Sequence, residues 1–307
     1  MDFAEYLEEL SDGARKLKVA GLQRLSGITA DQQTQLDAVW PNINVRRRRR
    51  IVGELTDLAE DNVELNFDSV FTGALRDEDE RVRVVSIRGL WENESPALID
   101  PLLNLAGSDS DAGVRAEGAL ALGRFVVLFQ FGRLRERHFD RVAAGLRRII
   151  DTRDEIEEVR ARAIEAMGAH DATWVRQAIS EAFESGRHRL KVSAVHAMGR
   201  SAEPRWLPLV TRELNSDDAE LRYEAALAIG TIGRETSVPN LVPLLEDDDQ
   251  EVRNTVIAAL GEIGGREARA VLRDLLADTS PATREAAAAA LADMDLEDNP
   301  LGFRIRD

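Results

Sequence analysis

A chain of 307 residues with 44% hydrophobic and 31% charged residues has the composition of a folded protein. No window approaches the roughly 18 uncharged apolar residues a membrane helix needs, and the absence of cysteine excludes disulfides, thiolate zinc sites, iron–sulfur clusters and cysteine nucleophiles together. The formal charge is −16, and residues 213–307 hold 21 acids against 9 bases, so that end repels a nucleic-acid backbone.

The opening MDFAEYLEEL is acidic from its second residue and lacks the basic-then-apolar layout of a signal peptide, so a cytoplasmic protein is expected. Residues 3–26 hold two short apolar-periodic pieces (Phe3, Tyr6, Leu7, Leu10; then Leu17, Ala20, Leu22, Leu25) that match nothing later. Residues 1–28 are therefore read as an N-terminal helical cap, because the end of a repeat array must have its open apolar face covered. Thr29-Ala-Asp-Gln32 is a capping box opening a helix through Leu36, Val39, Trp40 and Ile43, and Val45–Asp61 reads as its partner.

From here one pattern recurs, clearest in Asp217–Gly233. An apolar residue is followed by Arg (Leu221–Arg222), small residues stand four and seven places after the Leu (Ala225, Ala228), an apolar residue at eight (Ile229) and Gly at nine (Gly230). Its basic member recurs at Arg83, Arg115, Arg160, Lys191, Arg222, Arg253 and Arg284, and the last four steps are each 31 residues. Each copy is a helix, B, preceded by a Leu-rich helix, A, as in Leu241–Leu245. Residues 29–293 are thus expected to form one all-α, right-handed α-solenoid of about eight antiparallel helix pairs, with small residues letting helices approach closely. Gly123, Gly168, Gly199, Gly230 and Gly261 are read as closing the regular part of each B helix. Asp77, Asp109, Asp154, Asp247 and Asp278, six residues before the basic position, are read as helix caps and as rungs of an Asp–Arg ladder between repeats. Ser185 and Ser216 depart from it, so the ladder is expected to be incomplete in the middle.

One step, Arg115 to Arg160, is 45 residues and contains an insertion near 125–137, FVVLFQFGRLRER. It reads either as a longer helix with a buried end or as an apolar projection for a partner. The tail 294–307, with Phe303 and Ile305 alternating, is expected to fold back over the last repeat.

This pattern resembles the HEAT-repeat family, in particular the short-repeat subclass first recognised in phycobilisome lyases, over roughly residues 30–293. The resemblance implies helix pairs whose B helices line a concave surface. It is weak for function, because proteins with such repeats include enzymes, lyase subunits and plain scaffolds.

A search for chemistry finds no Gly-rich phosphate loop followed by Lys, no GxSxG elbow and no HExxH. The histidines, His138, His170, His188 and His196, are scattered and none precedes Glu, so the paired His-Glu iron site of the HEAT-like deoxyhypusine hydroxylase is absent. No catalytic residue, metal site or cofactor is expected. Glu246–Asp249 reads as an acidic helix start, which the macrodipole favours, not as a calcium loop. Arg46–Arg50 is open to three readings: solvated and ladder charges, a contact for an acidic partner or the chain's own acidic end, or nucleic acid. Trp91, Trp174 and Trp206, near helix ends, read as packing residues, with a binding platform as the alternative.

Function is sought on the exposed side of the B helices, at positions two, three, six and ten after the apolar residue. The strip so read includes Ala116, Arg124, Ala161, Glu165, Val192, Ser193, Leu227, Thr255, Ala258 and Glu262. From it Arg88, Arg162, His196, Arg200, Tyr223 and Glu224 are taken as groove binding residues. The expectation is a non-enzymatic scaffold or adaptor holding a protein or peptide on a concave groove, with no membrane as partner. The alternatives are a bilin lyase-type, chromophore-handling subunit and, less favoured by the acidic charge, a nucleic-acid-binding protein.

Overall fold

The computed structural model describes residues 2–298, and every regular element among them is helical. The chain divides into two compact units at Ala166 and Met167. In the first, α1 (Phe3–Ser11) is closed by a capping box. Asp2 accepts the Glu5 amide at 2.8 Å and Glu5 accepts the Asp2 amide at 3.0 Å. A 3₁₀ turn, Val19–Leu25, follows and buries Leu22 and Leu25. Then come the pairs α2 (Ala30–Val39) and α3 (Val45–Asp61), α4 (Asp68–Ala74) and α5 (Glu80–Gly89), α6 (Ile99–Ser108) and α7 (Ala112–Gln130), and α8 (Glu136–Asp151) and α9 (Glu157–Met167). Thr29 caps α2 through the capping box read from sequence.

The second unit continues with α10 (Thr173–Glu184) and α11 (His188–Arg200), and α12 (Leu207–Glu213) and α13 (Ala219–Ile232). The pair α14 (Val238–Leu241) and α15 (Gln250–Ile263), then α16 (Gly265–Leu275) and α17 (Pro281–Asp298), complete it. The A element led by α14 passes at Val242–Glu246 into a 3₁₀ turn, where Pro243 supplies no amide to an α-helical ladder. The A/B pairs α6–α7, α10–α11, α12–α13 and α16–α17 pack together, and successive B helices also touch: α3–α5–α7 in one unit, α11–α13–α15–α17 in the other. The expected fold-back of the tail concerns Phe303 and Ile305, which lie outside the described residues; α17 itself runs through Asp298.

The insertion lengthens α7 to 19 residues, with Phe125, Val126 and Leu128 buried. Phe129 and Phe139 stack, ring centroids 3.9 Å apart, joining α7 to α8. Phe131, at the turn between them, is 75% exposed.

Of the five repeating glycines, Gly168 directly follows the end of α9 as read, and the other four correct the reading that they end helices. Gly123, Gly199, Gly230 and Gly261 lie inside α7, α11, α13 and α15, and none of them is among the left-handed glycines. The left-handed glycine that closes α15 is Gly264, at φ 67°. Position nine of one B helix instead faces the position-seven alanine of the next. A Cβ on Gly199 would stand 2.9 Å from Ala228 Cα, one on Gly168 2.9 Å from Ala197 Cα, and one on Gly123 3.0 Å from Ala166 Cα. Neighbouring B helices therefore meet backbone to backbone, and the glycine is required by contact, not by conformation.

The polar ladder also differs in detail. The caps stand four residues before the basic position, not six: Asp79 accepts from the Val82 amide at 3.2 Å, Asp111 from Val114 at 3.0 Å and Asp218 from Leu221 at 3.0 Å. Asp77, Asp109 and Asp247 brace the turn by accepting the amide two residues on, each at 2.9 Å, and receive the Arg of the preceding repeat. Arg83 donates through Nη1 to Asp77 O and through Nη2 to Asp109 Oδ1, both at 2.7 Å. Arg222 reaches Ser216 O at 2.9 Å and grips Asp247 with two bonds of 2.6 and 2.8 Å. Each such Arg thus ties its own A–B turn to that of the next repeat.

The middle rungs are filled by other acids. Arg115 binds Glu155 at 2.8 and 3.1 Å, and Lys191 pairs with the buried Glu213 at 2.7 Å. Hydrogen bonding to Arg222 holds the Asp247 carboxyl below the usual carboxylate range, and Arg115 does the same for Glu155.

Gly199→Ala is expected to destabilise the protein by about 1–3 kcal/mol through overpacking. Gly107→Ala, in open space on α6, should stabilise by about 0.5–1 kcal/mol. Thermal melts of the two variants compare these opposite signs. Because the folded carboxyls of Asp247 and Glu155 are lowered, their contribution is full above the ordinary carboxylate pKa near ~4 and is lost as pH falls through the lower folded values. Melting temperature should therefore fall below pH ~4, less steeply in Asp247→Asn.

Candidate functional site

Exposure along the B helices separates positions that the sequence treats alike. Position six or ten is open in most repeats: Arg88, Arg200, Thr231, Ala258 and Glu262 are exposed, and His196 and Leu227 half-buried. Positions two and three are frequently covered: Ala116, Ala161, Val192, Ser193 and Thr255 are buried, and at position six so is Glu165. These six do not belong to an exposed strip, because B helices in backbone contact shield one another's flanks. Arg124, at position ten of α7, is also structural. Its Nε donates to Ala121 O at 2.9 Å and its Nη1 to Leu90 O and Asn93 O at the end of α5; burial pulls its pKa down to about 10.

In the first unit Arg88 reaches from α5 to Glu117 on α7 at 2.8 Å, and Arg162 on α9 binds Glu158 at 2.8 Å and Glu165 at 2.9 Å. In the second, His196 Nδ1 lies 3.1 Å from Glu224 Oε2, joining α11 to α13. Tyr223 is half-buried beside Glu224, and Arg200 is exposed at the end of α11.

Farther along this face, α15 and α17 frame a cleft of about 550 Å³. Its floor is Ile257, Ala258, Ala286, Ala289 and Ala290, and Glu262 and Asp293 stand at its walls. No basic residue lines it. Position-by-position reading of single B helices did not reveal this cleft, because α17 breaks the pattern with Ala292 where the five preceding copies have Gly. The run of alanines at 286–290 was the available signal.

The Arg46–Arg50 run is largely internal to its unit. Arg47 donates to Leu10 O and Arg15 O, each at 2.6 Å. Arg48 is buried, with Nε 2.9 Å from Asp77 Oδ2 and Nη2 2.7 Å from Glu78 Oε1, while Arg49 binds Asp79 and Arg50 pairs with Glu54. Trp206 is buried as expected of a packing residue, whereas Trp91 is 65% exposed and does not act as one.

His188, Asp218 and Glu220 bring three ligand-type atoms within 4.8 Å of one another. Asp218 already caps α13 and pairs with His188 at 2.9 Å. Burial opposes its ionisation, but the Leu221 amide and His188 outweigh that and hold its carboxyl below the usual range. The arrangement is accounted for as a helix cap hydrogen-bonded to His188, at two helix starts.

The architecture is that of an α-solenoid repeat protein whose recurring residues build the stack and whose variable residues face outward. A model of HEAT repeats matches residues 68–153 and 207–292, more than half of the sequence. The chain belongs to the HEAT-repeat family. No curated protein sequence matches it. Among solved structures it is similar in fold to the complex of CpcE and CpcF of phycocyanin lyase from Nostoc sp. PCC7120, at 18% identity over 74% of this chain and 93% of that one, with a TM-score of 0.49. It is also similar to human deoxyhypusine hydroxylase, at 18% identity over 85% and 95% with a TM-score of 0.36, and to a chain of the Kap95p–RanGDP complex, at 14% over 94% and 46% with a TM-score of 0.49. No helix among the described residues is long and apolar enough to cross a membrane.

A binding face must tolerate change without loss of fold. Arg88→Ala and Arg200→Ala should each alter stability by less than about 0.5 kcal/mol. Glu213→Ala, which strips the buried partner of Lys191, should cost about 1–3 kcal/mol. Urea unfolding of the three variants gives the comparison.

Proposed function

We propose that the protein is a scaffold that holds a protein or peptide segment against the outward faces of its B helices. One observation carries the reading. Positions that recur between repeats (zero, four, seven, eight and nine) are mostly buried and the recurring base is bonded to turn carbonyls or acids, whereas positions six and ten vary and mostly reach solvent. A stack kept constant inside and varied outside is what a recognition surface needs.

In the second unit this face runs from His196, Arg200, Tyr223 and Glu224 to the cleft between α15 and α17. The alanine floor with Glu262 and Asp293 at its walls suits a segment carrying small apolar side chains and at least one Arg or Lys. Arg88 and Arg162 are proposed as contacts within the first unit, where their carboxylate partners must be shared or exchanged on binding. We further propose that residues 1–28 cap the array at its start. A bilin-handling subunit is a narrower version of the same reading, and it predicts a shift in visible absorbance when the purified protein is mixed with bilin.

The test is affinity capture from the native cell lysate with the full chain and with Glu262→Arg combined with Asp293→Arg. Both residues are exposed, so the melting temperature should be kept while basic partners are lost. Arg200→Ala with Tyr223→Ala should change the captured set as well. An identical set of partners for all three proteins contradicts the assignment of the face.

A further inference from the structure

The strongest feature outside the B-helix faces is a small pocket of about 160 Å³ where α1 and the turn after it meet the start of α3. Its apolar part comes from Tyr6, Leu10 and Leu17, and four cationic side chains line it: Lys16, Lys18, Arg24 and Arg47. Glu9 is the one acid in the lining. In a chain of net charge −16 with only three lysines, two of those lysines stand at this pocket.

The geometry fixes part of this cationic ring and leaves Lys16 exposed to solvent. Arg47 is anchored, its Nε and Nη1 each 2.6 Å from a backbone carbonyl, of Leu10 and Arg15. The Arg24 guanidinium stands 5.6 Å from the centroid of the Tyr6 ring. Lys18, 75% exposed along its side chain, bonds to Glu9 at 2.6 Å, an internal carboxylate already using one of the cations. Lys16 is exposed at the rim.

Tyr6 adds an independent observation. It is only 6% exposed, yet its hydroxyl has no hydrogen-bond partner among the described residues. A buried hydroxyl left without a partner costs about 1–3 kcal/mol, so such a group calls for an acceptor. Burial pushes its pKa up to about 12, so at neutral pH it keeps its proton and stays a donor.

We propose that this pocket binds a small oxyanion, a phosphate or carboxylate group carried on a compact apolar body. The lysines and Arg24 neutralise the anion, Leu10, Leu17 and the Tyr6 ring cover the body, and the Tyr6 hydroxyl donates to an anionic oxygen. Glu9 competes with the ligand for Lys18. The site shares no residue with the B-helix faces, so its failure leaves the scaffold reading standing, and the reverse holds too.

The experiment titrates the full chain at low salt with three probes, phenyl phosphate, benzoate and inorganic phosphate, followed by calorimetry and melting temperature. Saturable binding of phenyl phosphate or benzoate is expected, and the stronger of the two identifies which oxyanion the site prefers. Inorganic phosphate should bind more weakly, since it lacks the apolar body. Lys16→Ala with Lys18→Ala should weaken binding about 10-fold, whereas Glu9→Gln should strengthen it about 3-fold by releasing Lys18. Tyr6→Phe should weaken binding about 3–10-fold while leaving the unliganded melting temperature unchanged or raised, because it removes an unsatisfied hydroxyl. Absence of saturation by all three probes overturns the proposal. So does binding that ignores the Lys16/Lys18 and Tyr6 variants, since that is adsorption elsewhere on the chain.

Discussion

Within each unit, the closest approach of consecutive B helices governs the rest of the architecture. At position nine a glycine meets the position-seven alanine of the next repeat, so close that a Cβ on Gly199 or Gly168 would stand 2.9 Å from the facing Cα. Contacts this short leave no room for side chains in the seam, and dispersion between the two backbones replaces side-chain interdigitation. They also fix where the neighbouring turns lie. The Arg at position one finds both its own turn carbonyl and the next repeat's carboxylate in α13, which carries the seam glycine, and also in α5, where position nine is Trp91.

The ladder therefore runs beside the seam and does not depend on it: Arg48 and Arg83 form rungs from helices that lack the seam glycine. Arg222 satisfies one carbonyl and both oxygens of Asp247, so little of its charge is left uncompensated by partners. Two rungs are made by other acids: Glu155 takes Arg115 although the regular Asp154 is beside it, and Glu213, from the A helix, takes Lys191 where the regular position is Ser216. The base-to-acid link is not kept at every turn, since among the described residues Arg160 donates to Ile150 O and Arg253 to Asp247 O and Asp248 O, backbone carbonyls alone. The same tight stacking explains why the outward surface is narrower than four positions per repeat: flanks at positions two and three are largely enclosed, and variation is free at six and ten.

Much of the fold was legible in the sequence because its signals are periodic. The 31-residue step of the basic residue, the spacing of Leu221, Ala225 and Ile229, and the Thr29–Gln32 capping box each report local geometry that the structure repeats. The role of the glycines was not legible. Gly at the end of an apolar stripe signals a helix end in an isolated helix, and only the neighbouring repeat shows that Gly230 lies against Ala259. The caps were displaced by two residues because Asp77 and Asp79 both fit the local rule, and the long-range partner Arg48 decides between them. Of the site, the pairing of His196 with Glu224 joins residues 28 apart and reflects the repeat length. The acid-walled cleft between α15 and α17 needs the third dimension, since no single helix contains it.

The central claim is that glycine–alanine contact between adjacent B helices sets the stacking. It is tested most directly by a double-mutant cycle at Gly261 and Ala290, where a new Cβ would meet the Ala290 Cβ at 3.1 Å and the Ala290 Cα at 3.6 Å. Equilibrium unfolding of Gly261→Ala, Ala290→Gly and the double variant gives the coupling energy. The account predicts a rescue of about 1 kcal/mol or more, the double variant being more stable than the sum of the single effects allows. Single effects that add within about 0.3–0.5 kcal/mol would contradict it.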